Sequence, residues 1–140
     1  MARVKLIIPE KSIAELTIPV RISDINYGNH LGNDALISIV HEARVQWLKQ
    51  NNYSEMDIEG VGLIMSDIAV AYKQEAFYGD ILKINISTDE ITKISFELFY
   101  NIVNQQNKLI AKAKTGMVCY DYKNKKVAAL PEKFIQILSA

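Results

Sequence analysis

From Ala14 to Ser23 apolar and polar residues alternate. Ala14, Leu16, Ile18, Val20 and Ile22 share one side, and Glu15, Thr17, Pro19, Arg21 and Ser23 the other. A period of two is that of a strand with one buried face. Pro19 has no amide hydrogen to give a ladder, which predicts a free edge there. Upstream, residues 3–8 predict a short edge strand ended by Pro9. At residue 34 the period changes. Leu36, Ile39, Val40, Ala43, Trp47 and Leu48 recur at three- and four-residue spacing, which predicts a helix over 34–50. Ala35, Ile37 and Val45 make that helix apolar nearly all round, so it should be buried on most sides. Its few polar residues include Asp34, Ser38 and Glu42, which fall on one line at i, i+4 and i+8.

Past a loop at 53–60, the pattern returns to strands, over 62–76, 81–90, 93–103 and 109–122. Turns at Tyr78-Gly79-Asp80, at 105–108 and at 122–126 separate the later ones. In the last strand Ala111, Ala113 and Thr115 share a face and are small, so a helix can approach closely there. A short strand from Val127 and a terminal helix opened by Pro131 and Glu132 complete the chain. One helix followed by a run of antiparallel strands indicates an α+β fold in a single domain, 1–140. One helix cannot cover such a sheet alone, and Phe99 and Val103 lie on a second face. Another copy of the chain should therefore cover a face or edge, giving a homodimer or homotetramer.

Residues 24–34, Asp-Ile-Asn-Tyr-Gly-Asn-His-Leu-Gly-Asn-Asp, join the first strand to the helix. Gly28 and Gly32 permit backbone angles that other residues resist. Asn33 or Asp34 is suited to cap the helix. The free N–H groups of a helix start, with the positive dipole end behind them, suit a carbonyl oxygen that gains negative charge in a reaction. Taken alone, such a loop reads as a polar turn with a cap.

Bulk properties narrow the class. The 140 residues carry 16 lysines plus arginines against 16 aspartates plus glutamates. That balance gives no net field to favour nucleic acid or an anionic membrane. The single cysteine, Cys119, excludes an internal disulfide and fits a reducing, cytoplasmic setting. The first residues form too short an apolar run for a signal peptide or membrane span. His30 and His41 lack the spacing of a zinc site, and no phosphate-binding glycine-lysine loop is present.

Four pieces, in this order, resemble the hotdog-fold thioesterases of the 4-hydroxybenzoyl-CoA thioesterase and acyl-CoA thioesterase type. They are Val20-Arg21-Ile22-Ser23-Asp24, Gly28-Asn29-His30-Leu31-Gly32-Asn33, His41-Glu42-Ala43-Arg44-Val45-Gln46-Trp47-Leu48 and Tyr72 through Asp80. The resemblance implies a five- or six-stranded antiparallel sheet wrapped around one long central helix. It also implies dimers with active sites between subunits, and hydrolysis of an acyl-CoA or acyl-carrier thioester by water without a cofactor. The helix N-terminus would hold the oxyanion. The family's catalytic aspartate falls at Asn26.

An amide cannot accept a proton near neutral pH and is a poor nucleophile. Three readings stay open. Glu42, His30 or Asp34 is the base; Asn26 acts with His30; or the chain binds acyl thioesters without hydrolysing them. The candidate catalytic set is Asn26, His30 and Glu42. Tyr27, Gly28, Asn33 and Asp34 are the candidate substrate contacts. Lys73, Lys112 and Lys114 are candidates for the phosphates of coenzyme A, although a solvated sheet face is the better reading of each.

Overall fold

The computed structural model describes residues 3–140. Met1 and Ala2, the first residues of the expected domain, lie outside the description. Strand β1 (Ala14–Pro19) runs into a single 3-10 turn (Ile22–Asp24) and then the long helix α1 (Asn33–Gln50). Four strands follow: β2 (Gly62–Tyr72), β3 (Ile81–Asp89), β4 (Ser95–Val103) and β5 (Leu109–Asp121). A two-residue β6 (Lys126–Val127) and a short helix α2 (Glu132–Leu138) end the chain. All pairings are antiparallel, in the order β1-β3-β4-β5-β2, with β6 on β5. The expected α+β class and the single long helix on an antiparallel sheet are what the structure contains.

The core follows the periodicity. Leu36, Ile39, Val40, Ala43, Trp47 and Leu48 of α1 are all buried, as are Leu82, Ile84 and Ile86 of β3 and Phe96, Leu98, Tyr100 and Ile102 of β4. Ala111, Ala113 and Thr115 of β5 are wholly buried. Phe134 of α2 closes one end, with its ring 5.9 Å from Trp47, 5.8 Å from Tyr53 and 5.4 Å from Phe96. Rings at these tilted separations pack favourably beyond their area.

Three expectations are corrected. Residues 3–9 form no strand. They make an arm across the outer face of the sheet, anchored where Ser87 Oγ donates to the Pro9 carbonyl and Lys112 Nζ to that of Leu6. Ser87 and Lys112 belong to β3 and β5, so the arm passes over β4, where Phe99 is buried. Phe99 thus needs no second copy to cover it. Next, Ile22 does not join the buried face of β1 and is 70% exposed, because the chain has already entered the 3-10 turn. Finally, α1 is buried on one face only within a single chain. Ile37, His41, Glu42 and Val45 are exposed on the other.

Both sheet edges are open in one chain. β1 is one, as Pro19 predicted. β2 is the other, eleven residues long, with Ile64 and Met65 exposed and Ile68 and Val70 half-buried. Among the described residues no helix is long and apolar enough to cross a membrane.

Candidate active site

Loop 25–32 is closed by backbone. Ile25 and Leu31 form a bridge, Asn26 N donates to the His30 carbonyl at 3.0 Å, and Asn29 N donates to that of Asn26 at 3.1 Å. The Asn26 side chain completes an Asx turn, its Oδ1 accepting from Gly28 N at 2.9 Å. Its NH2 group and one Oδ1 lone pair are left for other partners. The left-handed residue of the loop is Asn29, at φ 65°. Gly28 and Gly32 were expected to supply unusual angles, but neither has a positive φ. Their role is clearance. A Cβ at Gly28 would lie 3.3 Å from both Asn26 Oδ1 and His30 Nε2, and one at Gly32 would lie 2.8 Å from Asp34 Oδ1.

Asp24 anchors the loop from below. It is 6% exposed and accepts from Arg21 N at 2.8 Å, with the Arg21 guanidinium at 3.4 Å. Gly32 N donates to the Asp24 carbonyl at 3.0 Å. Gly32, rather than Asn33 or Asp34, is the N-cap of α1, and no side chain caps the helix. The first helical bond is Leu36 N to the Gly32 carbonyl at 3.0 Å. Among the described residues the N–H groups of Asn33, Asp34 and Ala35 therefore have no protein acceptor.

Of these three residues Asn33 lines an open cleft of about 230 Å³, together with His30, Gly32, Tyr72, Lys73 and Glu75 among others. Tyr72 OH donates to the Asn33 carbonyl at 3.1 Å. Burial, and after it the Asp34 carboxylate, push the Tyr72 phenol above its ordinary value, so it remains a donor. His30 Nδ1 is 3.2 Å from the Leu31 carbonyl. A carbonyl only accepts, so Nδ1 carries the proton and neutral imidazole presents a lone pair on Nε2. Nε2 is 4.0 Å from Glu75 Oε1.

The structure thus brings His30, Asn33 and the start of α1 together, with Asn26 and Gly28 building the loop that holds His30. It does not bring Glu42 there. Glu42 lies about 12 Å along the helix from Asp34 at 1.5 Å per residue. It accepts from Gln46 Nε2 at 2.8 Å and lines a separate cleft of about 320 Å³ with Arg21, Asp24 and Ser38. Tyr27 is fully exposed at the loop tip. Of the three lysines, Lys73 lines the His30 cleft. Lys114 is held by Asp67 at 2.9 Å and Glu97 at 3.1 Å, and Lys112 reaches the arm. Asp67 makes a structural bond. Lys114 holds its carboxyl below the ordinary range, and it accepts from Gly116 N at 3.0 Å. Cys119 is buried and its thiol is pushed up to about 11 by that burial, so it is no nucleophile.

Tyr72 and Glu75 escaped the sequence reading as site residues. Their placement depends on Leu31 N donating to the Ala76 carbonyl at 2.8 Å, a contact between segments 45 positions apart. A second missed feature is a polar chain beneath α1. Glu55 accepts from His41 Nε2 at 2.6 Å and from Arg44 Nε at 2.9 Å. Arg44, 5% exposed, donates on to Tyr100 OH at 3.2 Å, which meets Thr115 Oγ1 at 2.8 Å.

Comparison with known proteins agrees with the fold. The model of the thioesterase-like superfamily matches residues 20–138. The acyl-CoA thioester hydrolase YbgC of Escherichia coli is 26% identical over 121 residues, which cover 84% of this chain and 90% of that one. The 1,4-dihydroxy-2-naphthoyl-CoA hydrolase of Crocosphaera subtropica is 28% identical over 127 residues, 85% of this chain and 90% of that one. The crystal structure of a 1,4-dihydroxy-2-naphthoyl-CoA thioesterase from Synechocystis superposes with a TM-score of 0.81. That structure is 22% identical and covers 89% of this chain and 94% of its own.

Proposed function

The chain belongs to the thioesterase-like superfamily, and from that premise we propose that it hydrolyses an acyl-CoA thioester at the amino end of α1. The observation that carries this reading is the uncapped helix start, whose first residue, Asn33, lines the cleft that holds His30. In the reaction, the thioester carbonyl oxygen sits against the N–H groups of Asn33 and Asp34. These donors, and the dipole behind them, stabilise the negative charge that develops on it. Water attacks the carbonyl carbon and gives its proton to His30 Nε2. The carbon–sulfur bond then breaks, and the imidazolium returns the proton to the leaving thiolate. Asn26 shapes the loop through its Asx turn and orients the reactants with its remaining NH2 group. Tyr27 and Gly28 border the substrate's path. Glu42, bonded to Gln46 in the other cleft, takes no part.

A homodimer through β2 completes the site. A long, apolar, unpaired edge is a template for a second strand, and β2 is such an edge. A cleft of about 230 Å³ is smaller than the roughly 300–1,000 Å³ of ligand pockets, so part of its wall is supplied by a second copy. The balanced charge and lone buried thiol suit a cytoplasmic location.

Thiol release from a panel of acyl-CoA thioesters tests the reaction. Replacing His30 by alanine is expected to lower turnover by about 100-fold or more, as loss of a general base does. Unchanged turnover in that variant refutes the role of His30. Binding without thiol release by the unaltered protein would favour the non-catalytic reading that Asn26 raises.

A further inference from the structure

Resting on that reading, we infer that Glu75, on the wall of the same cleft, is the carboxylate that works with His30. Among the described residues no other carboxylate lies within 4.0 Å of a His30 nitrogen. Asp24 is buried on Arg21. Asp34 Oδ1 lies over Gly32 in the first turn of α1, beside Tyr72 rather than the imidazole. Glu42 faces the second cleft. Glu75 lines the His30 cleft, with Oε1 4.0 Å from Nε2.

Its position is imposed by backbone on both sides. Lys73 N and Gln74 N donate to the Ile110 carbonyl at 2.8 and 3.1 Å. Leu31 N, next to His30, donates to the Ala76 carbonyl at 2.8 Å. Glu75 stands between these two attachments, so strand β5 and the His30 loop together set where its side chain starts.

The chemistry follows from the tautomer. Nδ1–H is turned to the Leu31 carbonyl, which leaves Nε2 toward Glu75. A gap of 4.0 Å is too long for a direct hydrogen bond. It suits one water at about 2.8 Å from each atom. Such a water donates one hydrogen to Nε2 and the other to the carboxylate, and its oxygen lone pair faces the cleft. As its oxygen bonds to the thioester carbon, its proton passes to Nε2, and the new imidazolium faces a negative charge. The carbon–sulfur bond breaks and the thiolate takes the proton from Nε2, which restores neutral His30. Glu75 keeps its charge throughout. It is a positioning residue for the water and the imidazole. The other charged and titratable groups around His30 are Lys73 and Tyr72 in the cleft and Asp34 on α1. The Glu75 side chain is 64% exposed and that of His30 32%, so solvent weakens the interaction and its loss is modest.

Glu75→Gln keeps the shape and removes the charge. With an acyl-CoA that the unaltered protein turns over, kcat is expected to fall about 10-fold at neutral pH. KM stays within about two-fold. Glu75→Asp keeps the charge and should restore part of the lost kcat, which a merely structural defect would not. Nuclear magnetic resonance of the imidazole nitrogens gives the same test without turnover, with the two histidines distinguished by a His41→Gln variant. At one fixed neutral pH the His30 Nε2 signal shifts in Glu75→Gln. An unchanged kcat and an unchanged His30 Nε2 signal overturn the inference. If His30→Ala abolishes turnover while Glu75→Gln changes neither readout, only the role of Glu75 fails. If His30→Ala leaves turnover intact, the reading beneath it fails instead.

Discussion

Glu55→Gln should destabilise this protein more than its half-exposed surroundings suggest. The Arg44 side chain is 6% exposed and its Nε donates to Glu55 Oε2 at 2.9 Å. Without the carboxylate, a buried guanidinium keeps only the Tyr100 hydroxyl at 3.2 Å as a strong partner. Removing one member of a fully buried ion pair costs about 3–5 kcal/mol. Glu55 itself is 25% exposed, so water reaches the gap and the cost falls to about 2–3 kcal/mol. At roughly 3–4 °C per kcal/mol for a domain of this size, Tm should drop by about 6–12 °C. Arg44→Met removes the charge along with its need for a partner, and Tyr100 keeps its bond to Thr115. That variant should lose only about 1 kcal/mol. The double variant should be less damaged than the sum of the two, by about 1.5 kcal/mol or more. Urea unfolding of all four proteins at one protein concentration measures this, since association of copies would otherwise shift the midpoint. A Glu55→Gln cost below that of Arg44→Met, or strict additivity, would refute the claim that an unpaired buried cation is the cause.

The same residue sets a pH dependence. Burial would raise the Glu55 carboxyl, but hydrogen bonds from Arg44 and His41 outweigh it and hold it below the ordinary range. A depressed carboxyl gives stability that is present above the unfolded value of about 4.3 and is lost as pH falls through the folded one. The Tm difference between the unaltered protein and Glu55→Gln should narrow as pH falls below about 4, and a constant difference would contradict it. At the cleft, Lys73→Ala should raise KM several-fold for an acyl-CoA and leave KM for the matching acyl-pantetheine unchanged. That follows if Lys73 meets the phosphates, since a charge contact to a part remote from the reacting carbon affects binding alone. Steady-state kinetics with both substrates decide it, and equal effects on both would place Lys73 elsewhere.

Much of the architecture was legible in the residue pattern. The alternation in 14–20 and 81–86 and the three-and-four spacing from Leu36 to Leu48 are properties of adjacent positions, and burial followed them. Pro19 marked an edge for a reason internal to one residue. The exceptions have tertiary causes. Ile22 continues the alternation of β1 in sequence, yet it is exposed because Asp24 draws the backbone of Arg21 into a turn. Residues 3–8 have a strand-like composition but lie over the sheet, because Ser87 and Lys112 offer them donors there.

The site divides in the same way. The proximity of Asn26, Gly28, His30 and Asn33 was readable because they lie in one short loop entering a helix, where spacing alone brings residues together. Their mechanical roles were less so. Clearance by Gly28 and Gly32, and the Asx turn of Asn26, depend on where neighbouring side chains finally pack. Glu42 lines a different cleft from His30 within one chain, since a helix carries a residue eight positions on away from its start.

By itself, the order of residues determined the long helix, the strands of the sheet, their apolar faces, and the loop from which the helix begins. These are consequences of local stereochemistry and of periods of two and 3.6. Only the folded chain decided which side chains from remote segments meet. It set Tyr72 and Glu75 across from His30, and Glu55 over Arg44, through bonds between backbones far apart in sequence. The reason is that such meetings depend on strand register and on the seating of the helix, which are settled jointly by the whole core and by no single stretch of it.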